Sequence, residues 1–476
     1  MDDPVGASSR APSLVAGRDR PTQHSHSCGE VSSLQHSSQG SSPMPSADHS
    51  RCLTLANGLR VTLIHAPDAS RAAALLRIAR GSHDEPPAFP GLAHFIEHLL
   101  FLCGERFVED ERLMPWVQAR GGRVNASTRA RQTDYFFEVP ADALGDGLAR
   151  LVDMLARPVL DESVQVAERE VLEAEFLARG RDPDTLIDAA LALGVAPTHP
   201  LGRFVAGRRD TLKVESVEFQ RALRKFIREC QASGALELWL LGPQALDELA
   251  ALAEREAGVF PPGAVADCAS AESLLPLTGH ELKLRLPGAP RLVLAFALED
   301  VTGEGGATLE QLHGWLADEA PGSLLACLTR NGLGDSARVR LSRFAGAQAL
   351  LRFDFELAEA SAADQVEAAF LAWLEALRKL PADGLAAAPV DNAMGVLEQL
   401  QRRAGSAAPS SWISQLVTSR MVRLLTSETV VGESLTCAGF LLDVAVSARR
   451  IWHRLARYLA WRPHLCSRLF SRRIWH

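Results

Sequence analysis

Apolar and polar residues alternate from Cys52 to Leu63 on either side of Asn57-Gly58. Period-two segments flanking an Asn-Gly step predict a β-hairpin with a type I′ turn. A strand over Ala73 to Ala79 ends at Gly81, and Pro90-Gly91 then introduces a helix over Leu92 to Cys103. Next come a helix near Glu111 to Ala119, a break at Gly121-Gly122, strands over Arg123 to Ser127 and Thr133 to Val139, and a helix over Ala141 to Leu155. Asp161 is placed to N-cap a further helix reaching Arg179. Beyond a Pro/Gly/Ala-rich stretch at 258–276 the pattern starts again. Strands begin at Glu281 and Arg291, a helix covers Leu309 to Arg330, strands cover Arg338 to Leu341 and Ala347 to Glu356, and a helix covers Ala362 to Arg378. The repeated order of strand pair, helices, strand pair and helix predicts an α+β chain of two related units, with no letter-level repeat between them.

Composition narrows the classes. At 476 residues, 47% hydrophobic and 23% charged, the chain is long enough for two or three domains with sizeable cores. A net charge of −8 argues against a nucleic-acid partner. Residues 1–50 are rich in Ser, Gly, Pro and His and predict a disordered tail, in which His24, His26 and Cys28 have no closed site to share as ligands. The eight cysteines are scattered without CxxC spacing and read as buried small apolar residues. The first residues lack the apolar core of a secretory signal, and no uncharged apolar run approaches the ~18 residues that span a bilayer. A soluble, cytoplasmic protein is expected. The segment 447–476 breaks the pattern: it holds eight arginines, three tryptophans and no acid, and repeats Arg-Arg-Ile-Trp-His at 449–453 and 472–476. Arg and Trp alternate there without a sustained helical period, so membrane contact through this tail is not the expectation.

The candidate chemistry lies in Pro90-Gly-Leu-Ala-His-Phe-Ile-Glu-His-Leu-Leu-Phe-Leu102. On a helix, His94 and His98 are four residues apart and share a face, so two imidazoles can converge on a tetrahedral Zn²⁺ with Glu97 beside them, the HxxEH arrangement. Apolar neighbours on most sides predict that these polar groups are buried, which is costly unless they are paired or bind a metal. A zinc hydrolase needs a third ligand, and Val166-Ala-Glu-Arg-Glu-Val-Leu-Glu-Ala-Glu-Phe176 offers Glu168, Glu170, Glu173 and Glu175. Glu168 and Glu175, seven apart, fall on nearly one helical face, whereas Glu170 and Glu173 read as a solvated acidic surface.

These residues resemble the pitrilysin/insulinase family of zinc metallopeptidases (inverzincins), and within it the branch serving bacterial pyrroloquinoline quinone (PQQ) biosynthesis. The resemblance rests on Gly81-Ser-His-Asp-Glu-Pro86, the HxxEH helix, Gly121-Gly-Arg-Val-Asn-Ala-Ser-Thr128, Arg169-Glu-Val-Leu-Glu-Ala-Glu-Phe176 and His199-Pro-Leu-Gly-Arg-Phe204. It spans most of 51–245 and continues more weakly through the second unit. It implies two α/β-roll domains, each an antiparallel sheet covered by helices: a catalytic domain at 51–257, a linker at 258–276 and a second, non-metal-binding domain at 277–446. The family's third ligand stands 77 residues beyond the second histidine, at Glu175 here. The resemblance further implies one Zn²⁺ on His94, His98 and Glu175, Glu97 as general base, Glu168 as supporting acid, and Asn125 and Ala126 on an edge strand that holds substrate backbone.

Full-length relatives resemble two such halves, four α+β units around a chamber, whereas this chain offers about two. The other half of the family fold contributes Arg and Tyr residues to substrate binding, and this chain has only Tyr135 and Tyr458. The expected function is a zinc metalloendopeptidase acting on a short peptide, with the PQQ precursor peptide implied by the resemblance. The half-length organisation adds the expectation of a partner half-subunit or a homodimer. The competing reading is a non-catalytic or partner-dependent subunit of a heteromeric peptidase, against which the intact His94, Glu97, His98 and Glu175 stand.

Overall fold

The structure, a computed structural model, describes residues 49–194, 199–203, 206–264, 274, 280–298, 306–321, 323–343, 348–378, 421–430, 433–437 and 440–448. The expected N-terminal tail up to residue 48, most of the expected linker and residues 449–476 lie outside the described residues.

β1 (Ser50–Thr54) and β2 (Arg60–His65) form the expected antiparallel hairpin, but its connection spans residues 55–59 and is not a two-residue type I′ turn. Type I′ needs positive φ at both central residues, and only Gly58 has it, at 89°. Asn57 is committed elsewhere: its amide donates to the carbonyls of Ala257 (3.0 Å) and Phe260 (3.1 Å), while its Oδ1 accepts the Leu59 N–H.

β3 (Arg71–Ile78), α1 (Leu92–Leu100), α2 (Leu113–Ala119), β4 (Arg123–Thr128), β5 (Thr133–Pro140), α3 (Leu144–Ala156) and α4 (Glu162–Arg179) follow. Helix α1 stops three residues short of the expected Cys103, because the chain turns to let the Cys103 carbonyl accept the Val159 N–H at 2.6 Å. Asp161 caps α4 as expected, accepting the Ser163 N–H at 2.7 Å. Four elements without a sequence expectation come next: α5 (Pro183–Leu191), α6 (Val217–Gln231), β6 (Leu236–Gly242) and α7 (Leu246–Ala257). The six-stranded sheet has the order β1-β2-β6-β3-β5-β4, with β6 parallel to β2 and antiparallel to β3. One face packs Val61, Leu63, Leu76, Phe137, Leu238 and Leu240 against α1, α2, α3, α6 and α7. Strand β4 is left at the edge.

β7 (His280–Arg285), β8 (Arg291–Leu298), α8 (Gly306–Ala317), α9 (Leu324–Arg330), β9 (Ser336–Arg343), β10 (Ala349–Glu356) and α10 (Ala363–Arg378) repeat the expected order. The single helix expected over 309–330 is two, interrupted near Pro321, with Ser323 accepting the Ala326 N–H to start α9. Strands β11 (Met421–Ser427), β12 (Glu433–Cys437) and β13 (Phe440–Ala448) complete a seven-stranded sheet of order β12-β13-β7-β11-β8-β10-β9. β13 reaches Ala448, two residues into the stretch read as the basic tail. The kinship of the two sheets shows in their strand order: β2-β6-β3-β5-β4 and β7-β11-β8-β10-β9 each insert a late strand between the first two, parallel to one and antiparallel to the other. Phe296, Phe353, Phe355 and Phe370 fill the core between the second sheet and its helices. The opposite face carries Leu282, Leu284, Val293 and Val422 and packs against Ile187, Ala190 and Leu191 of α5.

Among the described cysteines, Cys103 and Cys230 are buried as expected, whereas Cys52 is exposed on β1. Among the described residues no helix is long and apolar enough to cross a membrane.

Asn57 joins the first hairpin to the end of α7 through two part-buried bonds. Asn57→Ala should lower the unfolding free energy by about 1–3 kcal/mol, read as a shift in the urea midpoint. An unchanged midpoint would mean that water serves the two carbonyls equally well.

Candidate metal centre

Leu92, Ala93, Phe95, Ile96, Leu99 and Leu100 are all buried, so α1 is inside the core at its first turn, where unpaired N–H groups need acceptors. Its N-cap, Gly91 (φ 91°), has no side chain to offer. Glu85 supplies the acceptors: Oε1 takes the Gly91 N–H at 2.9 Å and Oε2 the Ala93 N–H at 3.0 Å. Burial pushes the Glu85 carboxyl up to about 8 against the pull of these bonds. Glu85 belongs to the Gly81–Pro86 stretch of the family resemblance, but its role depends on a contact between separate segments and has no local sequence signature. A Cβ on Gly91 would lie 2.1 Å from the Gly207 Cα, so only glycine permits this approach of the two backbones.

That approach sets Ala206 beside α1, and its carbonyl meets His94 Nδ1 at 2.7 Å. A carbonyl only accepts, so Nδ1 carries the proton and Nε2 the lone pair. His98 Nδ1 donates to Glu168 Oε1 at 2.7 Å, which leaves its Nε2 as the second ligand atom. Glu175 faces both imidazoles, with Oε2 3.8 Å from His94 Nε2 and Oε1 3.7 Å from His98 Nε2. One ligand atom from each of the three residues lies within 4.8 Å of the others, the sole such group of three among the described residues. Tetrahedral bonds of about 2.1 Å separate ligand atoms by roughly 3.4 Å, so side-chain shifts of about an ångström would close this set on Zn²⁺. Glu175 Oε2 is buried without a hydrogen bond and has the Arg179 guanidinium at 3.6 Å, too long for one, so a metal ion would serve it better. Burial, with the charges of His98 and Arg179, holds the His94 imidazole well below its ordinary pKa, in the neutral form a metal requires. Burial also acts to lower His98, but the Glu168 hydrogen bond and the Glu175 charge outweigh it and hold this imidazole above its ordinary value.

Glu97, 5% exposed, has the Thr128 hydroxyl and backbone near it at the end of β4, which act to lower its carboxyl pKa. Its Oε2 is buried without a hydrogen-bond partner, and burial raises its pKa. Asn125 is exposed on the same strand and Ala126 is buried, and the Asn125 Oδ1 accepts the Ala126 N–H at 2.9 Å. The structure thus gathers His94, His98, Glu175, Glu97 and Glu168 and keeps Asn125 and Ala126 on the neighbouring edge. Thr128 and Ala206, like Glu85, had no expected role. Glu170 and Glu173 lie apart from the imidazoles, but they are paired and not merely solvated: Glu170 binds Arg209, and Glu173 accepts the Arg209 N–H at 2.7 Å.

Comparison with known proteins agrees with this architecture. The profile described as "Insulinase (Peptidase family M16)" matches residues 60–203, and "PQQ synthase PqqF, N-terminal lobe domain 2" matches residues 290–424. The chain belongs to the M16 peptidase family, that of pitrilysin and insulinase. Within it the chain is PqqF-like: it is 53% identical over 402 residues to Coenzyme PQQ synthesis protein F of Pseudomonas aeruginosa, covering 83% of this chain and 52% of that relative. The crystal structure of pitrilysin superposes with a TM-score of 0.71 at 20% identity, covering 92% of this chain and 50% of that one. A peptidase M16 inactive domain from Pseudomonas fluorescens gives a TM-score of 0.63 at 16% identity, covering 81% of this chain and 100% of that one. The chain spans about half the length of the curated relatives it matches.

Glu85→Gln would turn an amide NH₂ toward one of the two N–H donors of α1. It should cost about 1–3 kcal/mol in chemical unfolding, more than Asp or Glu changes at exposed positions. A midpoint equal to that of the unaltered chain would remove Glu85 from the support of the helix.

Proposed function

We propose that the chain is the metal-binding half of a zinc-dependent endopeptidase. The carrying observation is the convergence of two imidazole nitrogens and one carboxylate, each imidazole held by its other nitrogen, next to a second buried carboxyl with a bare oxygen. His94, His98 and Glu175 would hold one Zn²⁺. When bound, the ion supplies Lewis acidity toward water and toward a peptide carbonyl. Glu97 is the base. Its Oε2 takes the proton of the attacking water and returns it to the departing amine. Burial raises its pKa and so makes the carboxylate a stronger base than an exposed one. Glu168 keeps the His98 Nδ1 protonated and its ring oriented.

Strand β4 has its outer edge unpaired within the sheet, so an extended peptide would add there with Asn125 and Ala126 among its contacts. The Asn125 amide now bonded to the Ala126 N–H would turn away to admit it. The substrate we assign is a short peptide. The naming of the Pseudomonas aeruginosa relative as a coenzyme PQQ synthesis protein points to the PQQ precursor peptide, in the cytoplasm. The proposed division is a catalytic domain at 51–257 and a second domain at 277–446 without a metal. A second reading has its own support: because the relatives are about twice as long, the site would need a partner half-subunit or a second copy before it cuts.

Elemental analysis and cleavage of an unstructured peptide test both readings. One zinc per chain is expected, with Glu97→Gln retaining zinc while activity falls by about 10³-fold or more, and Glu175→Gln losing zinc. Zinc without cleavage in the unaltered chain would favour the partner-dependent reading. No zinc in any form would refute the metal centre.

A further inference from the structure

Glu175 stands on α4, whose last turn leads through Gly180 and Arg181 directly into α5. Asp182 starts α5 by accepting the Thr185 N–H at 2.8 Å. Helix α5 is seated on the second sheet, where Ile187, Ala190 and Leu191 pack among Leu282, Leu284, Val293 and Val422. Three arginines from three adjacent strands close on it. Asp184 receives Arg291 of β8 at 2.8 Å, Arg340 of β9 at 2.7 Å and Arg352 of β10 at 3.4 Å. Arg352, with its side chain 4% exposed, also donates to Asp354 at 2.6 Å and binds Asp188. A second route leads to the same sheet. Ala206, whose carbonyl accepts the His94 Nδ1–H hydrogen bond, is buried in the apolar cluster formed by Leu282, Val293 and Val422.

An ion cluster around one buried guanidinium contributes little net stability compared with apolar packing of equal volume, yet it restricts geometry, since its carboxylates meet the arginines at one placement of the helix. Sliding or rotating α5 on the sheet would take Asp184 and Asp188 from Arg352 and leave it Asp354 alone. The next helix turn upstream carries Arg179, 3.6 Å from Glu175 Oε2, so displacement of α5 passes into the carboxylate within a few residues. Resting on the metal-centre reading above, we propose that Arg352 and Asp184 are positioning residues: the second sheet holds the α4–α5 turn, and with it Glu175, in register with His94 and His98. The second sheet then completes the metal centre without contributing a ligand. Its own helix after the first strand pair, α8, contains one histidine, His313, and no HxxEH.

The test is a cobalt(II) titration of the full chain and of Arg352→Met and Asp184→Asn, read by visible d–d absorption, with circular dichroism reporting the fold. Both variants should fold, bind Co²⁺ about tenfold more weakly and show altered band positions or intensities. A purely structural role would lower the melting temperature and leave the cobalt spectrum unchanged. Unaltered affinity and spectrum in a folded variant overturn the proposal. Should Arg352→Met not fold, Asp184→Asn decides, because it keeps the side-chain shape and leaves Arg352 with Asp188 and Asp354. Absence of cobalt uptake by the unaltered chain would overturn the metal-centre reading and this proposal with it, a result distinct from normal uptake by all three.

Discussion

Placing a nine-residue helix with two imidazoles and a carboxyl inside an apolar core creates a demand at every polar group it carries. Glu85 answers the first-turn N–H groups, and Ala206 and Glu168 answer the two Nδ1 atoms. After these bonds are made, both Nε2 atoms face the Glu175 carboxylate at 3.7–3.8 Å, Arg179 lies 3.6 Å from its Oε2, and Oε2 of Glu97 is left without a hydrogen-bond partner. The surroundings therefore fix both rings by their Nδ1 atoms and turn their Nε2 atoms toward one carboxylate. This shared orientation distinguishes the cluster from histidines that merely fill a core.

The same demand explains why the site is assembled from segments far apart in the chain. No residue of α1 can supply acceptors to its own first turn or to its own imidazoles at the required angles. They come from residue 85 before the helix, from α4 after it, and from residue 206 beyond α5. Late insertion of β6 between β2 and β3 returns the chain to the centre of the sheet after all of these segments have been placed. The second sheet repeats this insertion with β11, and its free face receives α5. The two sheets thus share one construction, and only the first carries a metal-type triad among the described residues.

Legibility in the sequence follows the range of the interaction. His94, Glu97 and His98 were readable because helical geometry alone sets their spacing, and burial of α1 was readable from its apolar flanks. Glu175 was one of four nearby acids: helical phase set Glu170 and Glu173 aside but left Glu168 and Glu175 equivalent, and separating those two required the family resemblance. The structure divides those two by role: Glu168 bonds the far nitrogen of His98, and Glu175 faces the near ones. Glu85, Thr128 and Ala206 were not readable, since each acts through a contact between segments that share no local pattern. The Asn57-Gly58 turn misled for the same reason, its asparagine being claimed by carbonyls 200 residues away. β6 escaped notice because Leu-Glu-Leu-Trp-Leu-Leu-Gly is an almost continuous apolar run, which periodicity cannot assign to a buried strand or a helix.

The edge strand raises a question of energy. An unpaired edge invites aggregation unless it is blunted, and at Ala126 the Asn125 amide already serves the N–H that an arriving strand would take. A peptide adding there exchanges one acceptor for another, so this bond contributes little net free energy. Affinity must then come from the remaining ladder bonds and from side-chain contacts away from β4. Within its own sheet β4 is terminal, with β5 as its one neighbour. In the proposed peptidase this edge would therefore orient a peptide for hydrolysis better than it would retain one, and retention would fall to side chains away from the strand.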